Sequence, residues 1–100
     1  MKTMFLLLVL AIGTISATVQ ASDNLSQGEI RALVQQGKIL SLQEILELYP
    51  EKAYGKLLDL EIEREHDSVI YELEFLHADG RVLELVIDAA DGRLLKQEVE

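Results

Sequence analysis

The chain has 100 residues, with 9 basic and 18 acidic side chains, a formal net charge of −9 and no cysteine. That length permits one domain. The missing thiols exclude disulfides and a lipid-modified cysteine, and the negative charge repels phosphate backbones and anionic headgroups, which argues against nucleic-acid and membrane-surface binding and leaves basic proteins and cations as partners.

The first segment, "MKTMFLLLVLAIGTISATVQA", carries one cation at Lys2, an apolar stretch from Met4 to Ile15, and small side chains at Val19 and Ala21. It reads as a secretory signal peptide over residues 1–21, cut after Ala21, because the apolar stretch is shorter than the roughly 20 residues a spanning helix needs, with an uncleaved membrane anchor as the rival reading. The expectation is therefore a periplasmic or secreted protein with no membrane insertion after cleavage. Cleavage removes Lys2 and no acid, leaving 8 basic and 18 acidic side chains, so the net charge becomes −10. Residues 22–25 read as a flexible leader and residues 26–100 as the domain.

Ser26-Gln27-Gly28-Glu29 fits a capping box, in which a serine hydroxyl and a glutamate carboxylate satisfy amide donors at a helix start. Ile30, Leu33 and Val34 then share one face, and Gly37 supplies the stop. Ser41-Leu42-Gln43-Glu44 repeats the pattern, with Ile45, Leu46 and Tyr49 on one face until Pro50 forbids continuation. Two short amphipathic helices are predicted, and both serines read as caps rather than nucleophiles.

From Lys56 the apolar period changes to two. Leu58, Leu60 and Ile62 alternate with acids; Val69, Tyr71, Leu73 and Phe75 form a second set and Leu83, Leu85 and Ile87 a third. A fourth strand, Leu94 to Val99, is weaker. The tetrapeptide ADGR occurs twice, at Ala78–Arg81 and Ala90–Arg93. Keeping Tyr71, Leu73 and Phe75 on the face of Leu83, Leu85 and Ile87 requires an odd loop, because a one-residue slip turns a strand over. A three-residue Ala78-Asp79-Gly80 turn does this, pairing Phe75 with Leu83. The same loop at Ala90-Asp91-Gly92 places Leu95 and Val99 on the buried face. The first hairpin keeps parity with a two- or four-residue loop in Glu65-His66-Asp67-Ser68. The predicted fold is α+β, two short N-terminal helices packed on one face of a four-stranded antiparallel meander whose other face is open.

On that open face the registers pair Glu61 with Glu74, Glu74 with Glu84 and Glu84 with Glu98, with Glu63 opposite Glu72. Leu57, Ile70, Leu76, Val82, Val86 and Leu94 are interspersed. Three readings stay open: a solvated face that keeps the protein soluble, a docking surface for a basic protein segment, and a divalent-cation site. Catalysis has little support. His66 and His77 fall at opposite ends of one strand, and there is no thiol, no glycine-rich phosphate loop, no metal-ligand spacing and no implied cofactor. The oligomeric state is open.

The segments "GKILSLQEIL", "LLDLEIERE", "VIYELEFLHADGR" and "ELVIDAADGRLLKQE", with the Pro50 break, resemble the PepSY domain family over approximately Leu25 to Glu98. The resemblance implies a helix pair on an antiparallel sheet, similar to the repeat of the secreted beta-lactamase inhibitor protein. It also implies non-catalytic work, since PepSY domains occur in propeptides of thermolysin-like metalloproteases and in periplasmic or membrane-anchored proteins, with a proposed regulatory role towards peptidases. The expectation is a protein-binding regulatory module whose partner is supplied in trans, with divalent-cation binding as the alternative.

Overall fold

The computed structural model describes residues 25–100, so the expected signal segment 1–21 and most of the expected leader 22–25 lie outside the described residues. Among the described residues three helices, α1 (Gln27–Gln35), α2 (Leu42–Leu48) and α3 (Glu51–Tyr54), precede four strands, β1 (Lys56–Glu65), β2 (Ser68–Leu76), β3 (Val82–Asp88) and β4 (Leu94–Val99). The strands form one antiparallel sheet in the order β1-β2-β3-β4, the predicted meander.

Both capping boxes form. Ser26 Oγ accepts the Glu29 N–H at 3.1 Å while Glu29 Oε1 accepts the Ser26 N–H at 2.9 Å, and Ser41 and Glu44 repeat the exchange at 3.2 and 2.9 Å. At the end of α1 the Gly37 N–H reaches Val34 O and the Lys38 N–H reaches Leu33 O, the crossed bonds that close a helix. Pro50 ends α2 as expected, but it also opens α3, a one-turn helix that the apolar pattern did not announce. A proline has no N–H to lose at a helix start, so the residue that stops one helix begins another.

The core joins Ile39, Ile45 and Tyr49 to Tyr71, Leu73, Phe75, Leu85, Ile87 and Ala89, with Ile30, Leu33 and Val34 of α1 packed against it. Phe75 and Leu85 share this cluster, as the odd-loop argument requires. Two tyrosine hydroxyls tie the helical segment to the sheet: Tyr49 donates to Gly92 O and Tyr71 to Leu40 O, both at 2.7 Å. No helix among the described residues is long and apolar enough to cross a membrane.

The two ADGR copies are built differently. At the first, the His77 N–H donates to Arg81 O and the Gly80 N–H to His77 O, closing the predicted three-residue loop. At the second, Asp88 rather than Ala89 pairs with Arg93, and the loop is the four residues Ala89–Gly92. Ala89 has other partners: its N–H goes to Val69 O and its carbonyl accepts the Leu40 N–H. A one-residue bulge in β4 then restores the register, so Ile87 faces Leu94 while Leu83 still faces Val99.

Three expectations of burial are corrected. Leu95 and Val99 are 47% and 50% exposed, because the buried cluster ends at β3. A bulge between Leu57 and Asp59 puts Leu57, not Leu58, opposite Phe75, and Leu58 is exposed. Ile70, expected among the accessible apolar residues of the open face, is buried.

Candidate functional site

Strand alternation sends every second side chain of the sheet away from the core, and on that face the register decides which acids meet. Across β2, β3 and β4 the expected neighbours form: Glu74 opposes Glu84, and Glu84 opposes Glu98. Across β1 and β2 the expected pairs are displaced by two residues. The turn is His66-Asp67, with Glu65 opposite Ser68, so Glu61 meets Glu72, Asp59 meets Glu74 and Glu63 meets Ile70. The row of four carboxylates therefore exists as Asp59, Glu74, Glu84 and Glu98, with Glu61 and Glu72 beside it and Lys96 continuing that second row.

Asp59, on the face of Glu61 by simple alternation, was missed because the expected β1–β2 register lay two residues away from the observed one. The turn length was the available signal. Either loop length allowed for Glu65–Ser68 pairs Glu61 with Glu72.

Asp59, Glu61, Glu72, Glu74 and Glu84 line one depression on this face. Its electrostatics record the crowding. Desolvation raises the pKa of Glu72 above the ordinary 4.5, reinforced by Glu84, Glu61 and Glu65 and opposed by Lys96. Glu74 is raised chiefly by the charge of Glu100, with desolvation next and Asp59 and Glu84 adding to it. Glu100 thus belongs to the acidic field as well. At the β4 edge Lys96 Nζ lies 3.3 Å from Glu98 Oε2.

Glu61, Glu63 and Glu72 each offer an oxygen within 4.8 Å of the others. Oxygen donors of this kind suit a hard divalent ion, but calcium takes six to eight ligands, so water or further carboxylates would have to complete the shell. The histidines stay apart. His66 occupies the first turn with φ 56°, and His77 Nδ1 lies 3.4 Å from Tyr54 O at the other end of β2.

What the face can do is attract positive charge. Its depression is walled by acids rather than by apolar side chains, unlike the usual small-molecule pocket. The family model PepSY, described as Peptidase propeptide and YPEB domain, matches residues 39–98. No curated protein and no solved structure matches.

Proposed function

From the premise that the chain belongs to the PepSY family, whose model spans residues 39–98, we propose that it is a non-catalytic regulatory module acting outside the cytoplasm on another protein. PepSY domains are typically propeptide-like or inhibitor-like and are usually extracellular or periplasmic. Within that reading, the contact is made by the open acidic face with a basic segment of the partner, a peptidase or a sensor protein.

The observation that carries this is the carboxylate row. Like charges opposed across strands cost up to about 1 kcal/mol per pair. A lysine or arginine laid across Glu72, Glu74 and Glu84 relieves that repulsion, so the face gains more from a cationic partner than isolated acids would. The test is affinity capture from the exported fraction with the protein and with its Glu72→Gln, Glu74→Gln, Glu84→Gln variant. A partner retained by the first and lost by the second supports the reading; equal capture removes the acidic face from it.

A second reading, divalent-cation binding or sensing, is favoured by the proximity of the Glu61, Glu63 and Glu72 carboxylates. Titration calorimetry with calcium, magnesium and zinc decides it, and heats no larger than those of buffer dismiss it.

A further inference from the structure

We propose that β4 is the docking edge for an extended peptide segment that alternates basic and apolar residues and adds to the sheet as a fifth strand. The proposal rests on the reading above that the acidic face meets a basic partner, and it names where and in what conformation that partner binds.

Backbone geometry singles out this edge. The Glu100 N–H donates to Val82 O, which makes Val82 and Glu100 a hydrogen-bonded pair. Antiparallel pairs alternate, so Glu84–Glu98 and Val86–Lys96 are hydrogen-bonded pairs too, and Gln97 and Val99 turn their N–H and C=O groups away from β3. The whole of β4 is exposed. The opposite edge is partly closed: the Leu57 N–H donates to Glu51 Oε2 at 2.8 Å and the Leu60 N–H to Asp59 Oδ1 at 2.9 Å. An incoming strand thus meets a receptive ladder at β4 and an obstructed one at β1.

Side chains then define the peptide. On one side of β4 stand Glu98, with Lys96 Nζ 3.3 Å from its carboxylate, and, beyond it, Glu84, with Glu100 nearby. On the other stand Leu94 opposite Ile87 and Val99 opposite Leu83, 38% and 50% exposed. Leu48 of α2, 52% exposed, extends the apolar side, since it approaches Gly92 just before β4 begins. A strand paired with β4 presents alternate residues to these two sides, so positive charge is wanted on the side of Glu98, Glu84 and Glu100, away from Lys96, and apolar side chains at the positions between. A second copy of this chain supplies a single cation on this edge, Lys96, beside its own Glu98 and Glu100, and so offers less positive charge to the acidic side than a basic peptide does.

The test uses the protein purified from the exported fraction, ¹⁵N-labelled, and a fluorescein-labelled peptide of about ten residues alternating lysine and valine. Two control peptides carry the same residues, one sorted into a lysine block and a valine block, the other alternating but N-methylated on every second amide. Gln97→Pro is the protein variant, since proline is tolerated on an edge strand where the lost N–H points outward. Expected results are binding of the alternating peptide, slowed exchange of the Gln97 and Val99 amides on binding, and at least about a tenfold loss of affinity from N-methylation or from Gln97→Pro. Equal binding of alternating and block peptides with no loss in Gln97→Pro overturns the inference while leaving the acidic-face reading intact. Failure of every basic peptide to bind overturns both. Protection of Gln97 in concentrated protein without peptide overturns the inference in favour of a second copy.

Discussion

Gly80 and Gly92 occupy matching places in a repeated tetrapeptide, yet their surroundings set very different demands. Both have positive φ, 92° and 81°. A Cβ on Gly80 meets nothing within 4 Å, whereas one on Gly92 sits 2.6 Å from Leu48 Cδ1 and 3.1 Å from Leu40 Cδ1. Gly80→Ala should therefore cost only the backbone term, about 1 kcal/mol. Gly92→Ala adds overpacking of about 1–3 kcal/mol and disturbs the carbonyl that the Tyr49 hydroxyl holds. Denaturant unfolding of both variants checks this, and equal losses would show that the second corner is not a packed joint. Nothing in the local sequence separates the two copies. The difference comes from Leu48 of α2 and from Leu40 just before it, far upstream in the chain, and a contact of that kind is invisible to turn chemistry.

At the scale of elements, what repeats in the sequence is again unequal in the fold. Ser26 and Ser41 make the same capping box, but α1 buries none of its residues fully and α2 buries Ile45 completely. Ser41→Ala should lower global stability by about 1 kcal/mol. Ser26→Ala should fray α1 with a smaller global effect, seen as faster amide exchange confined to α1. Caps were legible because they are local devices, fixed by two residues three apart. The three clear strands were legible from alternation, and the first Asp-Gly loop from parity. Bulges were not: both occur in the outer strands β1 and β4, where one extra residue is accommodated without disturbing the central pair. The site suffered most where its register passed through the first hairpin, which placed Asp59 and Glu61 one pair away from where they were expected.

Over the whole molecule, charge decides how stability responds to solvent. Glu72 and Glu74 bind protons more readily in the fold than in the unfolded chain, so their contribution falls as pH rises through and above the ordinary 4.5. Glu29, held below 4.5 chiefly by the Ser26 backbone hydrogen bond, and Asp79, held below 3.8 chiefly by that of Arg81, act oppositely: their stabilisation is present above those values and is lost as pH falls beneath them. Melting temperature should therefore rise as pH is lowered from neutrality towards 4.5 and drop in stronger acid. Added salt should raise it at neutral pH, because exposed like charges are screened over about 8 Å at physiological ionic strength. Glu72→Gln should flatten the first limb of the pH profile and leave the acid limb in place. A melting temperature that falls steadily from pH 7 to 5 would contradict the crowded-carboxylate account.

The hydroxyl ties at Tyr49 and Tyr71 also settle how this protein can be watched. It has no tryptophan, and its three tyrosines all lie along the joint between helices and strands, two buried and Tyr54 with its ring tilted against those of Tyr49 and Phe75 at centroid distances of 5.7 and 5.5 Å. Near-ultraviolet dichroism and tyrosine emission consequently report on that joint and are silent about the outermost strand. A ligand clipped onto β4 should leave the aromatic spectrum untouched, while any event that breaks the hydroxyl ties between the helical segment and the sheet should register at once.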